Sequence, residues 1–160
     1  KMKKTDIILI LVVVAIIVGA VILGQNKTEK AHYDLPVTVE GTAGLTDIDY
    51  ATYKSLQEAN KPFIGIIAQT GCHYCEQYRP VVEKVATELG IPFNWIDMSK
   101  ISEEDYTEFM KSNTFFKRNK SWGTPTTLLL NNSDTIATIN GYVDEDGLKS
   151  FLSTNVKVGE

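Results

Sequence analysis

Only two cysteines occur in this chain, and they stand three positions apart as Cys72-His73-Tyr74-Cys75. Two cysteines placed at random on a chain of this length fall at that spacing about one time in eighty, so the pair asks for a chemical reason. Ahead of it, Pro62-Phe-Ile-Gly-Ile-Ile-Ala-Gln69 is an apolar, β-branched run of strand length. Thr70-Gly71 breaks the run, and Glu76 to Leu89 carries a helical pattern. Cys72 is therefore expected at the mouth of a helix, just past the end of a strand. Free N–H groups and the helix dipole favour a thiolate there. Two thiols within one turn, one of them activated, are the equipment for thiol–disulfide exchange.

The two sulfurs have different expected roles. Cys72, nearer the strand end and the solvent, is the nucleophile. Cys75, one helical turn further in, is the shielded thiol that resolves a mixed disulfide. Between them, His73 is the tuning residue, because an imidazolium beside Cys72 favours its thiolate. The plainer alternative is a solvated residue at the first helical position. Lowering the Cys72 pKa from about 8.5 to about 6 would stabilise the reduced form by roughly 1.4 kcal/mol at neutral pH, or about 30 mV toward oxidising. Tyr74 reads as a surface or substrate-contact ring. No third cysteine is present for a structural disulfide. A four-ligand zinc site would need both cysteines and both histidines, and His32 lies far off in a polar stretch, so neither metal nor cofactor is expected.

From Ile7 to Asn26 there is no charged residue, and Ile7 to Gly24 is almost wholly aliphatic. Some 20 helical residues span about 30 Å, the thickness of a bilayer's hydrocarbon core. Lys1, Lys3 and Lys4 precede the run, opposed only by Asp6. The bias toward positive charge on the cytoplasmic side places the remainder of the chain outside the cytoplasm. A cleaved signal peptide is the competing reading, but the run is long for one and no small-x-small site closes it. Residues 1–26 are thus expected to be a signal anchor, 27–34 a polar tether, and 35–160 the globular domain. The formal net charge of −4 gives no reason to expect a nucleic-acid partner.

Within the domain, Val37–Glu40 is expected as a short edge strand. Thr46 or Asp49 caps a helix through about Ala59, followed by the strand Phe63–Ala68. Gly90 stops the helix that follows the cysteines. Ile91–Asp97 reads as a strand, and Ser102 with the acids behind it opens a helix to about Asn119. Leu128–Asn131 and Thr135–Asn140 form a hairpin around Asn132-Ser-Asp. Asp144 opens a last helix carrying Leu148, Phe151 and Leu152 on one side. The order β α β α β α β β α predicts an α/β fold with a mixed sheet.

Four features together resemble the thioredoxin fold over essentially all of 35–160. Cys-x-x-Cys sits at a strand-to-helix junction. Pro80 follows Cys75 by five residues, where thioredoxins carry the proline of the active-site helix. Gly123-Thr124-Pro125-Thr126 opens a strand, like that family's cis-proline segment. Gly141 stands sixteen residues past Pro125, at the offset of the family's glycine beside the active site. The resemblance implies a cis Thr124-Pro125 bond and a Thr124 backbone that pairs with a substrate strand over the disulfide. Trp122 is then either core or the rim of a peptide groove. The Thr-Gly-Cys-His-Tyr-Cys-Glu stretch behind an N-terminal anchor is similar to the bacteriocin transport accessory group of Gram-positive bacteria. In departures from cytosolic thioredoxin, Gly71 replaces a tryptophan, His-Tyr replaces Gly-Pro, and Ile66 stands at the position of the buried aspartate.

The expected function is that of a membrane-tethered, extracytoplasmic thiol–disulfide oxidoreductase. Its partners are the thiols and disulfides of exported proteins or peptides, together with an unidentified redox partner that recycles the pair. The alternative is a non-catalytic accessory or holdase module that binds peptides for export in the same groove. An intact dithiol pair favours the enzyme.

Overall fold

The computed structural model of the chain describes residues 32–158. The charge-free run at 7–26, and with it the expected anchor, lies outside these residues. Contacts divide the chain into two units, Lys1–His32 and Tyr33–Glu160. The second begins within the polar segment expected as a tether, where the Tyr33 hydroxyl donates to Asp134 at 3.0 Å.

Five strands form one mixed sheet in the order β1-β3-β2-β4-β5. These are β1 (Gly44–Ile48), β2 (Phe63–Ala68), β3 (Pro92–Asp97), β4 (Thr126–Asn131) and β5 (Asp134–Asn140). The first three run parallel, while β4 is antiparallel to β2 and forms a hairpin with β5. Every residue of β2 is buried, as a central strand covered on both faces must be.

Helices α1 (Tyr50–Glu58), α2 (His73–Leu89), α3 (Glu103–Phe109), α4 (Thr114–Arg118) and α5 (Glu145–Asn155) cover the two faces. On one face α2 and α5 bury Tyr78, Val82, Val85, Leu148 and Leu152 against Ile64, Ile66 and Leu129. On the other, α1, α3 and α4 bury Tyr53, Phe109, Phe115 and Phe116 against Phe63, Ile67 and Leu128. Four of the helices start where a short polar side chain caps them: Asp49, Ser102, Asn113 and Asp144 each accept a backbone N–H of the first turn.

Two sequence expectations need correction. Val37–Glu40 is not a strand. Val37 makes a single parallel bridge to Val156, and the edge strand is Gly44–Ile48, paired residue for residue with Pro92–Ile96. The helix expected from Ser102 to Asn119 is two helices. The break falls at 110–113, where buried Asn113 turns its side chain to the Tyr53 hydroxyl and to the N–H of Phe116. That long-range polar contact outweighs continuing the helix.

Candidate active site

Cys72 and Cys75 form a disulfide at the N-terminus of α2, at the edge of the sheet where the parallel strands β1, β2 and β3 all end. The helix begins earlier than the apolar pattern indicates, because Cys72 is itself the N-cap. Its Sγ accepts the Cys75 N–H at 3.2 Å, and its carbonyl accepts the N–H of Glu76. The turn that delivers it needs Gly71, whose φ of +76° is a conformation that other residues rarely adopt. Cys72 is partly exposed, whereas Cys75 is only 3% exposed. One sulfur is thus open to solvent and the other lies behind it.

The Thr124-Pro125 peptide bond is cis. It sets Thr124 over the disulfide, with its carbonyl oxygen 3.4 Å from the Cys72 Sγ. The Thr124 hydroxyl donates to the same sulfur at 3.3 Å. Sequence reasoning gave Thr124 only a backbone role; no local pattern links residues 52 positions apart. In the reduced protein that hydroxyl and the Cys75 N–H are two donors aimed at a Cys72 thiolate, adding to the helix dipole. The Gly141 N–H donates to the Pro125 carbonyl at 2.9 Å and holds the segment from the far side. Gly141 does so at φ +99°, again a glycine conformation.

His73 is exposed at the first helical position. Its ring shares a hydrogen bond with Gln77 at 3.1 Å and lies tilted against Tyr74, with centroids 5.7 Å apart. Any tuning of Cys72 by His73 therefore acts through space. Tyr74 is 59% exposed. Trp122 packs on Phe116 and also lines a surface cleft next to Thr124. Among the described residues no cluster of three or more metal-ligating side chains exists.

Asp97 is a contributor that sequence reasoning missed. At the end of β3 it accepts the N–H of Thr70 at 3.1 Å, the Thr70 hydroxyl, and the N–H of Ser99 at 2.9 Å. These bonds hold the turn leading into Cys72. Partial burial raises the Asp97 pKa, but the hydrogen bonds from Thr70 and Ser99 outweigh it and the net direction is down.

Below the pair the core is neutral. Ile66 is fully buried, and its register partner on β4 is Thr127. The Thr127 hydroxyl is hydrogen-bonded to the Tyr78 hydroxyl at 3.0 Å. Tyr78 lies one turn along α2 from Cys75, and burial pushes its phenol up to about 12, against the opposing pull of Thr127. It stays protonated at physiological pH and is no base.

Solved structures with this arrangement of strands and helices have one fold in common. Thioredoxin f from spinach chloroplast is 20% identical over 72% of this chain and 97% of its own, with a TM-score of 0.51. A mutant thioredoxin from Halobacterium salinarum is 18% identical over 76% of this chain and 99% of its own, with a TM-score of 0.54. Thioredoxin of Malassezia sympodialis is 19% identical over 77% of this chain and 96% of its own, with a TM-score of 0.51. The fold is that of thioredoxin. At these identities the likeness is one of architecture. No family model matches the chain. No curated protein sequence matches it either. Within the thioredoxin fold, this chain sets Cys72–Cys75, cis Pro125 and Gly141 around one point of the surface.

Proposed function

We propose that the chain is a thiol–disulfide oxidoreductase, held at the outer face of a membrane by its N-terminal segment and acting on exported proteins or peptides. One observation carries the redox reading. A disulfide caps a helix, with one sulfur partly exposed beneath the Thr124 hydroxyl and the other buried. In the reduced protein a Cys72 thiolate attacks one sulfur of a substrate disulfide. A Cys72–substrate disulfide forms, and the other substrate sulfur leaves as a thiolate and takes up a proton. Cys75 then loses its proton and attacks the Cys72 Sγ. The Cys72–Cys75 bond closes and the second substrate thiolate departs. Two electrons pass to the substrate; run backward, the same steps oxidise a dithiol. A separate redox protein must restore the starting state.

The outer-face placement, and with it the likeness to bacteriocin transport accessory proteins, is supported by the charge-free run at 7–26 behind Lys1, Lys3 and Lys4. The test uses intact cells expressing the full chain. After mild reduction, a membrane-impermeant maleimide is expected to label Cys72. Labelling only after lysis contradicts this placement.

A further inference from the structure

The last residue of β3 is an acid, Asp97, at the end of the sheet where the disulfide lies. Acids at strand ends usually face water. The Asp97 side chain is only 14% exposed and turns onto the loop that precedes Cys72. Its Oδ1 accepts the N–H of Ser99 at 2.9 Å and of Thr70 at 3.1 Å, and its Oδ2 accepts the Thr70 hydroxyl. Capping the short helical turn Met98–Lys100 accounts for the Ser99 bond, but not for the two from Thr70.

Thr70 is the second residue of a four-residue turn, Gln69-Thr70-Gly71-Cys72, closed by the Cys72 N–H on the Gln69 carbonyl at 3.2 Å. Gly71 supplies the positive φ at its third position. The turn joins β2 to α2, yet its side-chain anchor is on β3. The Cys72 Sγ at its far end meets two donors, the Cys75 N–H at 3.2 Å and the Thr124 hydroxyl at 3.3 Å. Thr124 belongs to the segment entering β4. The sulfur therefore lies beneath that hydroxyl only while the turn stays where Asp97 holds it. Hydrogen bonds weaken steeply as distance and angle depart from ideal.

We propose that Asp97 is a positioning residue for the redox couple: by clamping Thr70 it holds the Cys72 sulfur beneath the Thr124 hydroxyl and so sets how readily the pair is reduced. The proposal rests on the oxidoreductase reading and deepens it. Two effects of Asp97 oppose each other. Its negative charge, offset by Lys100 at 3.9 Å, disfavours a thiolate nearby. Its clamp favours one, because aligned donors stabilise the thiolate of the reduced form more than the neutral sulfur of the disulfide. The clamp dominates, since the donors act at contact while the charge acts from beyond Thr70 through a screened surface.

Substitution separates the two effects by sign. The full chain and its variants are equilibrated with glutathione, two thiols reducing the pair and leaving as one glutathione disulfide, and the dithiol fraction is trapped by alkylation. Asp97→Ala is expected to lower the equilibrium constant for reduction about tenfold, or about 30 mV toward reducing. Thr70→Val keeps the charge and loses the hydroxyl, and should lower the constant in the same direction, by about threefold. Ser102→Ala removes the cap of α3 and lowers stability elsewhere, and should leave the constant unchanged. An unchanged constant in Asp97→Ala overturns the clamp. A rise overturns it too, and leaves Asp97 acting by charge alone. So does a fall that Thr70→Val does not share, or one that Ser102→Ala matches. In all these cases the unmodified pair still exchanges with glutathione, and only the clamp fails. If the unmodified pair does not exchange with glutathione, the oxidoreductase reading fails and the clamp with it.

Discussion

Cys72→Ser is expected to reduce catalysed reduction of insulin disulfides to the uncatalysed level, while Cys75→Ser traps substrate on the protein. The asymmetry follows from the two sulfurs' surroundings. Cys72 is the partly exposed one, and it carries the donors that favour a thiolate: the Thr124 hydroxyl, the Cys75 N–H and the start of α2. Without it no attack begins. Cys75 is buried and only completes the exchange. Without it the first step still runs, and the Cys72–substrate bond persists until another thiol breaks it. Non-reducing gels of Cys75→Ser incubated with oxidised substrate should show a covalent adduct that dithiothreitol removes and that Cys72→Ser,Cys75→Ser lacks. If both single variants retain full activity, the enzyme reading falls and peptide binding without redox chemistry takes its place.

Ile66→Asp is expected to be the most destabilising single change in the core, and to speed one step of the cycle. Ile66 is fully buried on β2, between Trp95 of β3 and Thr127 of β4. An ionised carboxyl there costs several kcal/mol, and burial raises its pKa instead. A raised folded-state pKa makes the loss of stability full above that pKa and smaller as pH falls through it toward the unfolded-state value. Urea unfolding at pH 5 and pH 8 should show that trend. The kinetic gain has a separate cause. Cys75 must shed a proton among neutral groups, for Ile66 and the protonated Tyr78 offer no base. A carboxyl introduced at position 66 would take that proton in the fraction of molecules where it is ionised. Stopped-flow release from a preformed mixed disulfide should be faster at pH 7 in the variant than in the unmodified chain. A rate in the unmodified chain that is flat between pH 6 and 9 would show that the proton leaves by another route.

The parts of this site that were legible in the sequence are those set by local chemistry. Cys72 and Cys75 announce themselves by spacing, β2 by its unbroken apolar run, and α1 by a cap at one of two candidates, of which Asp49 caps it and Thr46 lies in β1. What was not legible depends on partners far along the chain. Val37 alternates like a strand residue, yet its only ladder partner is Val156 beyond α5. Gly44–Ile48 has few apolar residues and becomes a strand because β3 offers it a free edge. The break between α3 and α4 depends on Asn113 reaching Tyr53, sixty residues earlier. The same holds at the centre of the site. The hydroxyl of Thr124 on the Cys72 sulfur and the carboxylate of Asp97 on Thr70 bridge 52 and 27 positions, with no periodicity to betray them.

Everything proposed for this chain requires Cys72–Cys75 to be a working redox couple rather than a fixed structural bond. Its reduction potential is the most direct test. The full chain is equilibrated in glutathione and dithiothreitol buffers, and the dithiol fraction is trapped with an alkylating agent. One two-electron transition is expected between about −270 and −120 mV, the range of disulfide-exchanging proteins. A disulfide that stays closed below about −300 mV would behave as a structural bond and contradict it.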